Sequence, residues 1–409
     1  MKPIIETLLD CDFYKFTMQQ FIYSYYPTTD VTFALTNRTS EVRLADMIDI
    51  GELSEQLTHV RTLKLNDTEL RYLRGLDIYG KRMFSEAYLQ FLNTLRLPAF
   101  ALWQEDGQFV LQFHGSWKEV TLWETFALSI INELYYQSLM KSFTPFAKDC
   151  IIAQGRLNLR NKILKLKPHN ISFIDFGTRR RFSREWQDYV VEVLKDALSY
   201  YGFRGTSNTY LAMKHSISPE GTNAHELQMA VAAIAGSDSE IRASQQRVFE
   251  QWYELYGFGL SIALTDTFGS DFFFATVPHE MIETWKGLRQ DSGDPFQFGW
   301  KALNYYRGKD INPEDKLIIF SDGLNVDTII DLHNRFNPSI HTSFGWGTNL
   351  TNDMGFRTLS LVIKLVSANG KPAVKLSDNL AKAIGPPDEI ARYKKIFKYT
   401  SEFNQKCEV

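Results

Sequence analysis

The sequence predicts an α/β protein, mixed α and β in its first part and built of parallel βαβ units from about residue 170 onward. Three observations carry that prediction. From Asn170 the chain alternates short apolar runs with amphipathic stretches, the pattern of strands joined by crossover helices. Gly and polar residues stand directly after those runs, at the carboxyl ends of the expected strands, where α/β barrels and open sheets place ligands. No Pro/Gly/Ser-rich linker, internal repeat or low-complexity stretch cuts the chain, so its domains are expected to pack closely.

The elements follow in order. Residues 12–25 mix aromatic and polar side chains at helical spacing, and 31–35 (VTFAL) read as a strand. Residues 53–73 match a charged helix. Residues 109–113 (FVLQF) and 118–121 suggest a hairpin closed by His114-Gly115-Ser116, followed by a long helix from about 122 to 142. Strands are then expected at 171–176 (ISFIDF), 260–265 (LSIALT), 317–320 (LIIF), 339–344 and 359–366 (LSLVIKLV). Helices are expected after Ser183, as their cap, and over 225–235 and 326–336.

Composition narrows the function classes. The 409 residues are 44% hydrophobic and 14% aromatic, enough apolar surface to exclude a disordered chain. Lys and Arg number 45 against 48 Asp and Glu, a net charge of −3 that lacks the basic excess of a nonspecific nucleic-acid binder. Cys11, Cys150 and Cys407 are odd in number and scattered, which argues against a disulfide scaffold or a cysteine zinc module. Acidic and polar residues come too early for a signal peptide, and no apolar run reaches the ~18–20 residues of a membrane span. A soluble protein of a reducing compartment, with two or more domains, is the expectation.

Four constellations could carry chemistry. Asp175-Phe176-Gly177-Thr178-Arg179-Arg180-Arg181 sets an acid, an aromatic and three arginines at one strand end. Guanidinium groups bind carboxylate or phosphate bidentately, and Phe176 could stack on a planar ring beside that anion; a solvated basic turn accounts for the run equally well. Gly205-Thr206-Ser207-Asn208 and Gly221-Thr222-Asn223-Ala224-His225-Glu226 each put a Gly-Thr step before an expected helix, whose first amides suit an anion. Arg289-Gln290-Asp291-Ser292-Gly293-Asp294-Pro295 is a turn entering a helix, or a site for ribose hydroxyls or magnesium. Ser321-Asp322-Gly323 and Ser343-Phe344-Gly345-Trp346-Gly347-Thr348-Asn349 have glycines that let backbone wrap an oxyanion. Neither has the lysine of a phosphate loop or the dinucleotide fingerprint, so a conventional kinase or dehydrogenase has no support.

Together these segments resemble the nicotinate phosphoribosyltransferases, which are type II phosphoribosyltransferases. The resemblance runs through Leu9-Asp10-Cys11-Asp12-Phe13-Tyr14-Lys15-Phe16-Thr17-Met18, the Asp175–Arg180 stretch, the two Gly-Thr segments, Arg289–Pro295, Phe320–Gly323 and Lys375-Leu376-Ser377-Asp378. Seven segments in the family's order are specific where one would not be. Cys11 departs from the family's usual Thr or Ser at a position with no chemical role.

The resemblance implies an irregular α/β barrel at 141–359 and an N-terminal α+β domain at 1–140, joined by part of 360–409. It implies a cytoplasmic enzyme of NAD biosynthesis joining nicotinate to phosphoribosyl pyrophosphate, coupled to ATP hydrolysis, with magnesium carried by substrate phosphates rather than by protein ligands. No nucleic acid or membrane partner is expected, and a homodimer with shared active sites is. Phe176 would stack on the pyridine, Arg179 hold its carboxylate, and Tyr14, from the neighbouring subunit, cover the other face. Asp291 with Arg289 would hold the ribose hydroxyls. Asp322, Gly323, Gly345, Gly347 and Thr348 would cradle the 5′-phosphate, and Arg38 and Lys375 meet the pyrophosphate. His225 takes the phosphorylated-histidine position. Neutral Ser207 stands where the related nicotinamide enzyme has an aspartate, which favours nicotinate; nicotinamide phosphoribosyltransferase is the nearest alternative. A non-catalytic metabolite sensor would have no use for His225 and Asp291 together, and a scaffold none for the arginine run.

Overall fold

A computed structural model describes residues 2–405; Cys407 lies outside them. Two sheets organise the chain. The smaller takes its first strands from the N-terminal part: β1 (Asp30–Asn37), β2 (Phe100–Glu105) and β3 (Gln108–Ser116). The larger is formed by β4 (Phe173–Asp175), β5 (Phe203–Thr206), β6 (Ser218–Pro219), β7 (Ile262–Leu264), β8 (Gly287–Gln290), β9 (Leu317–Phe320) and β10 (His341–Trp346). The chain then returns to the smaller sheet with β11 (Leu361–Ala368) and β12 (Lys371–Pro372).

The larger sheet runs β6-β5-β4-β10-β9-β8-β7, parallel throughout, and curls into a half-barrel whose edge strands are not paired to each other. Strand β4 near its centre and β7 at its edge are both fully buried, as a sheet covered on both faces requires. Crossover helices follow: Arg184–Leu198 after β4, Pro295–Arg307 after β8 and Val326–Phe336 after β9. Each starts on a side-chain cap, Ser183, Asp294 and Asn325 respectively, whose oxygen accepts from first-turn amides.

The smaller sheet is antiparallel in the order β12-β11-β1-β3-β2. The expected strand at 359–366 therefore exists, but it pairs with β1, from Val31 against Ala368 to Asn37 against Leu361. The expected hairpin across His114-Gly115-Ser116 does not form. β3 runs straight through those residues, and Trp117–Val120 is a helical turn. The true hairpin joins β2 to β3 through Asp106-Gly107, both at positive φ (49° and 75°), the conformation a two-residue hairpin turn needs. The single helix expected over 53–73 is two, Ile50–Val60 and Asp67–Gly75.

Helix Trp123–Leu139 joins the two halves. It is buried along nearly its whole length, packs on β11, and meets the arginine turn after β4. Ser129 Oγ donates to the Thr178 carbonyl (2.9 Å) and Asn132 Nδ2 to that of Arg179 (3.1 Å). Among the described residues no helix is long and apolar enough to cross a membrane.

Candidate active site

The strand ends of the half-barrel open into two adjoining cavities. The larger, about 720 Å³, is lined by Arg38, His225, Arg289, Asp291, Asp322, Gly323, Gly345, Gly347, Thr348 and Lys375 among others. The smaller, about 220 Å³, is lined by Asp12, Tyr14 and Ser207. Phe176, Arg179 and Arg289 belong to the walls of both. Every residue to which the resemblance assigned a substrate role thus lines one of the two spaces, whereas Asp175, Arg181, Thr206 and Asn208 lie buried behind them.

The smaller cavity has a flat apolar wall and a cation. Phe176 follows β4, where its amide is held by the Trp346 carbonyl (2.8 Å). A Cβ on Gly345 would come within 2.5 Å of the Phe176 ring. Gly345 thus leaves room for an aromatic side chain on one side while lining the larger cavity on the other. Gly323 does sit at positive φ (57°) beside open space, as a turn glycine would.

Arg179 Nη1 donates to Glu124 Oε1 (3.1 Å), and its Nε lies 3.3 Å from Asp12 Oδ2. The Tyr14 ring lies 5.7 Å from the guanidinium carbon, and the buried Tyr14 hydroxyl has no hydrogen-bond partner. Tyr14 of the same chain lines this cavity. The reason is local: the Phe13 amide donates to the Ser207 carbonyl (2.6 Å), and Asp12 bridges Asn208, so the helix Phe13–Tyr25 starts stitched to its own barrel.

Ser207 is neutral, but it does not leave the cavity free of carboxylates. Its hydroxyl donates to Asp12 Oδ1 (2.7 Å). Burial raises the Asp12 pKa, against the pull of Arg179 and of Ser207 itself.

The larger cavity is built around Asp291. Its Oδ1 accepts from Arg289 Nη2 (2.8 Å) and the Ser321 hydroxyl (2.9 Å), and its Oδ2 lies 2.9 Å from His225 Nε2. Burial alone would raise its pKa; Arg289, His225 and Lys375 together hold it well below the usual carboxylate range. His225 heads the helix Glu226–Ile234, with Nδ1 2.9 Å from the Thr267 hydroxyl and Nε2 2.8 Å from Lys375 Nζ. The Thr267 hydroxyl donates to Gln228 Oε1 (2.7 Å), which leaves its lone pairs to the imidazole. Burial and the Lys375 cation lower the His225 pKa, so the ring is neutral and nucleophilic near pH 7.

Several participants escaped the sequence reading. Lys364 on β11 and Lys382 add cations to the larger cavity, and Lys382 pairs with Asp322. Glu124 and the fully buried Lys15 stand behind Arg179: Glu124 Oε1 takes both Arg179 and Lys364 (3.0 Å), and Oε2 takes Lys15 (2.7 Å). Lys15 also meets Glu226, the neighbour of His225, at 2.6 Å. Lys15 was visible in its motif, but Lys364, Glu124 and Lys382 lie on elements whose sequence reads as plain strand, helix or loop. Among the described residues no group of three or more His, Cys, Asp or Glu is placed to hold a metal.

Such a space can hold a planar acid between aromatic and cationic groups, with a polyanionic sugar beside it. Comparison with known proteins agrees. Residues 171–401 match the family model of the nicotinate phosphoribosyltransferase (NAPRTase) family, and 9–132 that of its N-terminal domain. The crystal structure of nicotinate phosphoribosyltransferase from Porphyromonas gingivalis superposes with a TM-score of 0.86 at 30% identity, over 97% of this chain and 100% of that one. That from Vibrio cholerae gives 0.86 at 31%, over 97% and 94%.

Proposed function

The chain belongs to the nicotinate phosphoribosyltransferase family and serves NAD salvage, and from that premise we propose an ATP-coupled reaction of the ligase class passing through phosphorylated His225. Nicotinate attacks the anomeric carbon of phosphoribosyl pyrophosphate through its ring nitrogen. Pyrophosphate leaves with the electron pair of the broken C–O bond. The joined cavities support this reading most directly, because Phe176 and Arg179 wall both of them.

The pyridine lies against Phe176, its carboxylate on Arg179, with Tyr14 closing the other side. Asp291, oriented by Arg289, takes the ribose hydroxyls and stabilises positive charge developing on the ring. Asp322-Gly323 and Gly345-Trp346-Gly347-Thr348 meet the 5′-phosphate; Arg38 and Lys375 meet the pyrophosphate. The surplus of cations over free acids in this cavity fits magnesium entering on the substrate phosphates, whose charge it would help neutralise. ATP phosphorylates His225 at a ring nitrogen, with ADP as leaving group, and water later takes the phosphoryl group off as phosphate. The new charge competes for Lys375 and releases Asp291 toward the ribose. A homodimer in the cytoplasm completes the reading implied by the family likeness, each chain supplying its own Tyr14.

The test is an assay with nicotinate, phosphoribosyl pyrophosphate and magnesium, with and without ATP. His225→Ala abolishes ATP hydrolysis and leaves slow, uncoupled transfer. Normal ATP-stimulated turnover in that variant overturns the phosphohistidine. Competition between nicotinate and nicotinamide in the same assay decides the pyridine.

A further inference from the structure

The three consecutive arginines part company in the fold. Arg179 lines both cavities, Arg180 lines the larger, and Arg181 is fully buried. We propose that Arg181 and Asp10 form a positioning pair that sets the spacing between the two walls of the pyridine cavity, and that Arg181 holds no substrate.

The geometry is a fork on a carboxylate. Arg181 Nη1 and Nη2 donate to Asp10 Oδ1 (2.6 Å) and Oδ2 (2.8 Å), with both side chains out of solvent. Asp10 Oδ1 also accepts from Asn208 Nδ2 (2.7 Å), the residue after Ser207. On the other side Arg181 Nη1 reaches Gln187 Oε1 (3.3 Å). The Gln187 amide donates to Asp175 Oδ2 (2.8 Å) and to the Thr178 hydroxyl (3.1 Å). Asp175 accepts from the Gly177 amide (2.8 Å) and the Thr206 hydroxyl (2.6 Å).

One wall of the cavity, Phe176 and Arg179, is strung between Asp175 and Arg181. The other, Asp12 and Tyr14, follows directly on Asp10. Behind the cavity this buried pair joins the two segments, flanked by Arg184, 3.4 Å from Asp10, and by Glu133; the Arg179–Asp12 contact (3.3 Å) joins them at the cavity wall. A buried ion pair adds less stability than an apolar pair of equal volume, but it fixes direction as well as distance. That is what two walls around a flat ring require.

The inference rests on the pyridine reading of this cavity. Its test is a double-mutant cycle of Asp10→Asn and Arg181→Met, reading KM for nicotinate, KM for phosphoribosyl pyrophosphate and the thermal midpoint. Each single variant raises nicotinate KM by about tenfold to a hundredfold. Phosphoribosyl pyrophosphate KM stays within about twofold, and the double variant is no worse than the worse single. Arg181→Lys, which keeps the charge but not the fork, falls between. Gln187→Met leaves the ion pair intact and cuts its link to Asp175; it raises nicotinate KM alone, and serves if the buried-charge variants do not fold. Parallel rises in both KM values, additive singles, or an unchanged nicotinate KM overturns the proposal. Arg179→Ala is the control: if that variant keeps its nicotinate KM, the pyridine reading fails instead of the positioning pair.

Discussion

Ser207 shows how much a single hydroxyl arbitrates. It holds Asp12 at 2.7 Å, so the cavity already stores one buried carboxyl beside Arg179. A second carboxylate at that position would face both Asp12 and the incoming acid. Two unit charges ~4 Å apart repel by about 4 kcal/mol at an effective dielectric of ~20. Ser207→Asp is therefore expected to lower kcat/KM for nicotinate by tenfold or more, since about 1.4 kcal/mol suffices for that. Steady-state kinetics with nicotinate and nicotinamide in parallel checks it, and equal loss for both pyridines counts against the electrostatic cause. Lys364 sets a pH dependence at the same scale. Burial, reinforced by Arg179 and opposed by Glu124, lowers its pKa to about 8. The group is cationic below that value and neutral above it. The part of the phosphoribosyl pyrophosphate affinity that this cation supplies is thus present on the acid side and lost as pH rises through about 8. Lys364→Arg, which stays charged, should flatten that limb of the KM profile.

At the level of elements, β10 and the segment after β4 meet where a side chain has no room. Gly345→Ala drives a methyl to 2.5 Å from the Phe176 ring. Overpacking of this kind costs about 1–3 kcal/mol. Because the displaced group is the stacking wall, nicotinate KM should rise by about fivefold or more, and a pyridine titration by fluorescence or calorimetry measures it. The sequence displayed these elements unevenly. β4, β7 and β9 were legible as apolar runs, because strands covered on both faces need little else, whereas β10 (HTSFGW) stood out only by the glycines at its end. β5 (FRGT) and β8 (GLRQ) were not. They are four residues long, and Arg204 and Arg289 project into the cavity, which erases the apolar signal. His114-Gly115-Ser116 has turn composition inside a strand, while Asp106-Gly107 carries the stronger hairpin signal and makes the turn. The motif residues of the site were readable because their types are rare in combination. Glu124, Lys364 and Lys382 were not, since their meaning comes only from what the fold carries to them.

Across the whole molecule, one chain assembles Tyr14, Phe176, Arg179, Ser207, His225 and Asp291. Activity per chain is accordingly expected to stay constant on dilution through the dissociation of any dimer. Sedimentation and initial rates over the same concentration series test this, and a loss of activity that tracks dissociation would return Tyr14 to a shared site.

The antiparallel register of β1 against β11 carries a further consequence. A strand at Asp30–Asn37 is translated early, yet its neighbour in the sheet ends at Ala368. Throughout elongation on the ribosome the first strand waits, with a hydrogen-bonding edge unfilled, for a segment made near the end of synthesis. Non-local pairing of this span is slow to form. A nascent or truncated polypeptide ending before that segment lacks the partner for its earliest strand, and so cannot complete the framework on which catalysis depends.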